Sequence, residues 1–119
     1  SIYFGAPFSA PSSIKSKSIT SDYYGAIEDL KMMVEINDNS FYPFYSLGIL
    51  YGQYLKKYSK AIFYTEKALK INPNSSDALH NLGYLKQVKG NIQAACANYK
   101  KAYDLGSTRS LGFINQLGC

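Results

Sequence analysis

Residues 81–102 read NLGYLKQVKGNIQAACANYKKA, and residues 46–68 read SLGILYGQYLKKYSKAIFYTEKA. Both open on a Leu-Gly pair, pass through a polar, turn-forming interruption, and resume with alanines where larger apolar residues would be ordinary. The recurrence has a fixed period. Leu47 and Gly48 return as Leu82 and Gly83 after 35 residues, and Ala61 and Ala68 return as Ala95 and Ala102 after 34. Ile36, Ile71 and Leu105 mark the ends of the segments at the same spacing, and Ala26 stands 35 residues before Ala61. Self-similarity at this period is the mark of a stacked repeat, in which each unit is one supersecondary element.

Each unit reads as two helices. In the unit beginning at Ser76, Leu79, Leu82 and Leu85 form one apolar stripe, which predicts a helix over 76–88. Gly90-Asn91 breaks it, and a second helix is expected over 92–105, with Ala95, Tyr99 and Ala102 on one side and Gly106 just beyond its end. The preceding unit predicts helices over 42–54 and 59–71. Pro43 lies near the start of the first, and Pro73 with Asn74-Ser75 stops the second.

The two ends of the chain differ from the units. A helix over 22–36 matches only the second helix of a pair. Its missing partner would fall in a stretch rich in Pro, Ser and Thr, so residues 1–20 are expected to form an extended arm. The tail predicts a capping helix over 108–117 with Leu111, Ile114 and Leu117 on its apolar side, as a repeat stack needs at its last face. The domain expectation is therefore an arm over 1–20 and one helical domain over 21–119, with repeats at 41–75 and 76–109.

These residues resemble the tetratricopeptide repeat family, whose unit of 34 residues carries a large residue, Leu-Gly and an aromatic in helix A, then Ala, an aromatic and Ala in helix B, and a closing Pro. Phe44, Leu47, Gly48, Tyr51, Ala61, Ala68 and Pro73 match in one unit, and Leu79, Leu82, Gly83, Ala95, Tyr99 and Ala102 in the next. Departures are Lys86 and Thr65 at aromatic positions, Asp38 and Gly106-Ser107 for the closing proline, and one extra residue between Gly48 and Ala61. The last predicts a slightly longer helix A or turn. The fold implied is all-α, an α-solenoid of antiparallel helix pairs with about two full repeats, a leading half-repeat and a cap. The likeness is to small bacterial-type proteins of the family.

The resemblance implies a non-catalytic scaffold that binds a protein or peptide segment on the concave face lined by helix A. Family positions carried over residue by residue give Tyr42, Tyr45, Ile49 and Gln53 from one unit and His80, Tyr84, Gln87 and Val88 from the next. Gly52 and Asp77 hold the remaining two positions. Tyrosine suits such a face because its ring is apolar and its hydroxyl is polar. A subtype of the family grips a peptide C-terminal carboxylate with basic residues. Here the relevant positions hold Tyr45, Ile49 and Asn81, so that clamp is not expected. Other readings are a structural homo-oligomer without a peptide ligand, including a homodimer through the N-terminal half-repeat, and an interaction domain of a larger enzyme or secretion complex.

Composition bounds the alternatives. Among 119 residues 46% are hydrophobic and 18% charged, as in a folded domain. No apolar run reaches the roughly 18 residues of a membrane span. The net charge of +5 comes mainly from dispersed lysines, with Arg109 as the only arginine, so nucleic acid is not an expected partner. The single histidine, His80, forms no catalytic or metal-ligating set with the two cysteines or with the acids Asp22, Glu28 and Asp29. No catalytic residue, metal or cofactor is expected. Cys96 and Cys119 pair only if the compartment oxidises. The likeness to bacterial repeat proteins that carry Ala-Cys in the last helix B and a terminal Cys implies a bridge clamping the cap. A disulfide would point to an exported protein and free thiols to a cytoplasmic one.

Overall fold

A computed structural model describes the backbone of residues 19–119. The arm expected over 1–20 lies outside the described residues, except that Ile19 and Thr20 are already helical. Six helices follow: α1 (Ile19–Ile36), α2 (Phe41–Ile49), α3 (Tyr58–Ile71), α4 (Ser76–Val88), α5 (Ile92–Asp104) and α6 (Arg109–Leu117). The chain is an all-α stack in which α2 pairs with α3, α4 with α5, and each pair docks on the one before.

The breaks between helices are written in local chemistry. Asn37 Oδ1 accepts from the Asn39 amide at 3.0 Å, and 35 residues on Asn72 Oδ1 accepts from the Asn74 amide at 3.2 Å. These side-chain turns end a helix where the chain must reverse. Ser75 caps α4 by accepting from the Ala78 amide, and Asn91 caps α5 by accepting from the Ala94 amide.

The extra residue of the first unit is taken up inside the helix. From Leu50 to Tyr54 the backbone widens into a π-helical turn, with the Leu55 amide donating five residues back to the Leu50 carbonyl at 3.0 Å. A π-turn holds one more residue than the α-turn it replaces. Beyond it, Lys56 adopts a left-handed φ of 58°, and Gly90, 34 residues on, has φ 90°. The inserted residue therefore leaves the reversal itself in repeat register.

Small residues mark where the two helices of a pair touch. A Cβ on Gly83 would sit 2.8 Å from the ring of Tyr99, and one on Gly48 would collide with Thr65. Ala61, Ala68, Ala95 and Ala102 are fully buried on the opposing helices. Leu47, Tyr51, Ala61, Leu85 and Ile27 form the central cluster, and Tyr51 stacks parallel on Tyr64 at 5.6 Å.

The cap docks differently from the apolar stripe read in the sequence. Ser110 is fully buried and Phe113, Ile114 and Leu117 are half-buried, whereas Leu111 faces outward with 41% exposure. The helix is rotated so that the Ser110 hydroxyl meets His80. Cys96 in α5 and Cys119 beyond α6 are joined by a disulfide with Cα atoms 5.6 Å apart, which ties the end of the cap to the repeat beneath it.

Candidate functional site

An open cleft of about 410 Å³ is lined by Gln53, Lys56, His80, Asn81, Tyr84, Arg109 and Phe113. The elements that build it are the π-turn and its left-handed exit, the exposed side of α4, and the first turns of α6. Of the residues expected on the concave face, Gln53, His80 and Tyr84 line this cleft, and Ile49 joins Gln53 and Tyr84 in a small adjoining pocket.

The other expected residues sit elsewhere. Tyr45 is half-buried, stacked on Phe41 at 5.4 Å, and its hydroxyl pKa is raised by burial and then by the Asp77 carboxylate. Tyr42 is 73% exposed beside the same Phe41 ring. The Gln87 side-chain carbonyl is turned toward α5, where it accepts from the Tyr99 hydroxyl at 2.7 Å. Val88 is exposed at the end of α4 and does not line the cleft.

His80 forms the back wall rather than the rim. Only 6% of it is exposed, its ring lies 5.2 Å from Tyr99 and 5.0 Å from Phe113, and its Nδ1 is 2.7 Å from Ser110 Oγ. Ser110 in turn donates to Ser107 Oγ at 3.1 Å, so the ring donates from Nδ1 to Ser110. Burial lowers the imidazole pKa, and the nearby Arg109 lowers it further against a smaller opposing pull from Asp77. The ring is thereby kept neutral near pH 7.

Four residues of the cleft were not among the expected set: Lys56, Asn81, Arg109 and Phe113. The signal for two of them was present. Ser110-Leu111-Gly112-Phe113 repeats the order of Ser46-Leu47-Gly48-Ile49 and Asn81-Leu82-Gly83-Tyr84. In that alignment Arg109 and Phe113 take the places of His80 and Tyr84. Lys56 lines the cleft from the left-handed exit of the π-turn, at the place where the next unit has Gly90. Both cations reach the cleft, and no carboxylate lines it. Arg109 meets Asp77 at 3.5 Å with both side chains largely in water, a contact that leaves most of its charge available.

Two family models described as tetratricopeptide repeat match the chain, one over residues 43–75 and one over residues 64–97. The chain belongs to the tetratricopeptide repeat family. The first match coincides with the unit of α2 and α3. The second runs from helix B of that unit into helix B of the next, as a repeat read in a shifted phase does. Heat shock protein STI1 of Saccharomyces cerevisiae (strain ATCC 204508 / S288c) is 32% identical over 87 residues, which is 73% of this chain and 15% of the yeast protein. This tetratricopeptide repeat chain is a protein–protein interaction module of a family of non-catalytic repeats. Among the described residues no helix is long and apolar enough to cross a membrane.

Proposed function

We propose that the concave cleft binds an extended segment of a partner protein that carries a carboxylate. The observation behind this reading is the convergence of Lys56 and Arg109 with Gln53, Asn81 and Tyr84 in one open cleft that no acidic residue lines. The amide side chains offer both donors and acceptors to a peptide backbone, and the rings of Tyr84 and Phe113 give a peptide side chain an apolar wall. A guanidinium at the rim suits a carboxylate because its donors match the two oxygens. The cations come from the turn and the cap rather than from the family's inward-facing positions on α2 and α4. The reading is therefore not that of the family's basic clamp, whose positions hold Tyr45, Ile49 and Asn81.

The test is capture on the immobilised chain with mass-spectrometric identification, followed by titration of the captured segment as a synthetic peptide. Tyr84→Ala combined with Arg109→Gln is expected to weaken binding by about tenfold or more, as loss of a central aromatic and its charged neighbour does at interfaces. Affinity unchanged in a variant that remains folded by circular dichroism would overturn the cleft as the binding site.

A further inference from the structure

Among the described residues, the helices at the two ends of the stack lack partners in complementary ways. In both complete pairs, helix B presents two alanines and a central residue to its own helix A, and all are buried. These are Ala61, Thr65 and Ala68 in α3, and Ala95, Tyr99 and Ala102 in α5. The repeat period carries these positions back to Ala26, Leu30 and Met33 on α1. There Ala26 is exposed, Leu30 is half-buried and Met33 is 51% exposed. The residue that faces the following unit, Ile27, is buried at 2%. So α1 is docked on its successor as a helix B should be. Among the described residues nothing covers the face that would take a helix A.

At the other end, α6 is a helix A that lacks its first turn. It ends five residues after Gly112, as α4 ends five residues after Gly83, and it is nine residues long against thirteen. Its docking follows the repeat as well. Ser110, two residues before its glycine, meets His80, and Asn81, two before Gly83, interacts with Tyr45. In the complete pairs the glycine is pressed on helix B. On α6 a Cβ at Gly112 would meet nothing within 4 Å, and Leu111 beside it is largely in water. No helix B follows it among the described residues.

We infer that α6 of one copy pairs with α1 of another, so that the two half-units make one composite repeat and copies join head to tail. Gly112 would take the place against Leu30 that Gly83 takes against Tyr99 and Gly48 against Thr65. Charge favours this pairing over α1 on α1. The first helix carries Asp22, Glu28, Asp29 and Glu35 against Lys31 alone, and residues 92–119 carry Lys100, Lys101 and Arg109 against Asp104. Two acidic helices side by side repel, while an acidic helix against a basic end attracts. The contact joins unlike patches, so an assembly of any length keeps one free face at each of its two ends and is open. One helix pair is a small interface, and association is expected in the micromolar to millimolar range.

The experiment is sedimentation velocity of the full chain over that concentration range, with two variants that block one end each. Gly112→Arg fills open space in the monomer and raises helix propensity, so it leaves the fold intact while obstructing the composite pair. Met33→Glu places a charge on the uncovered face of α1. Wild type is expected to grow in mass with concentration past a dimer, and each variant alone to stay monomeric. An equimolar mixture of the two is expected to stop at a one-to-one dimer, since each supplies the face the other lacks. A wild type that stays monomeric throughout, a Gly112→Arg variant that associates like wild type, or a mixture that stays monomeric overturns the proposal. A dimer abolished by Met33→Glu and untouched by Gly112→Arg assigns the contact to α1 on α1 instead.

Discussion

Gly83 lies flat against the ring of Tyr99, close enough that a Cβ at this position would meet Cδ1 at 2.8 Å and Cε1 at 2.9 Å. The ring has nowhere to go. It is fully buried, its hydroxyl donates to Gln87 at 2.7 Å, and Phe113 packs 5.0 Å away on its other flank. Gly83→Ala is therefore expected to cost about 1–3 kcal/mol in overpacking, offset by about 1 kcal/mol gained in helix propensity. The matched control is Gly112→Ala, which meets open space and is expected to stabilise by up to about 1 kcal/mol. Urea unfolding midpoints of the two variants should move in opposite directions. Movement in the same direction would mean that the helix pair tolerates a methyl group at its closest approach.

Lys56 is the only non-glycine residue with a positive φ among the described residues, at the place where the next unit has Gly90. A left-handed conformation costs an ordinary L-residue about 1–2 kcal/mol, and glycine avoids it at some expense in unfolded-state entropy. Lys56→Gly should therefore raise stability by about 0.5–1 kcal/mol. The same variant removes one of the two cations of the cleft, so peptide affinity is expected to fall while the urea midpoint rises. A fall in both would show that the lysine side chain contributes packing that its exposure does not suggest.

Much of this architecture is legible in the sequence because the determinants are local. Ser75, Asn91 and the Asn37 and Asn72 turns each fix a helix boundary through a hydrogen bond to a neighbouring amide. Gly48 and Gly83 report close helix approach through their recurrence alone. The extra residue between Gly48 and Ala61 is visible as a count. Its accommodation as a π-turn is not, because that depends on Tyr51 keeping its stack on Tyr64 while Lys56 keeps its place in the turn. The site was less legible for a similar reason. Positional transfer puts His80 and Gln87 on the inner face, but that face is shared with whatever docks next. Here the cap buries His80, and the Tyr99 hydroxyl claims Gln87. Arg109 and Phe113 join the cleft only once α6 is understood as a shortened helix A rather than a generic amphipathic cap.

The Cys96–Cys119 bridge closes a loop with a sequence separation of 23. In the chain-entropy view a loop of this size restrains the unfolded chain by about 3 kcal/mol. Its removal by reductant, or by Cys96→Ala with Cys119→Ala, is expected to lower stability by about that amount. The loss should begin at the cap, because α6 is nine residues long and rests on a single neighbouring helix pair. Hydrogen exchange resolved by residue would then show amides of α6 exchanging well before those of α3 to α5. Uniform acceleration across all helices would mean that cap and repeats open as one unit.

His80 gives the fold a pH dependence whose sign can be worked out. Its ordinary pKa of 6.5 is lowered in the folded chain, first by burial and then by Arg109, with Asp77 opposing. Its other close neighbours stay uncharged, since burial pushes the Tyr99 hydroxyl up to about 12 and Ser110 and Phe113 do not titrate. Below the unfolded-state value, the unfolded chain takes up a proton that the folded chain refuses. The unfolded state then binds more protons, and stability falls as pH drops through that range. At higher pH both states are neutral, and the group contributes no slope. Carboxylates add slopes of their own at lower pH, so the readout is a difference between two proteins. His80→Gln keeps a donor for Ser110 and cannot titrate. Between about pH 7.5 and about 5.5 the wild type should lose stability relative to this variant, measured as the gap between their urea midpoints. A gap that stays constant across the interval would mean that the imidazole takes up its proton within the folded cap, with Arg109 moving away to allow it.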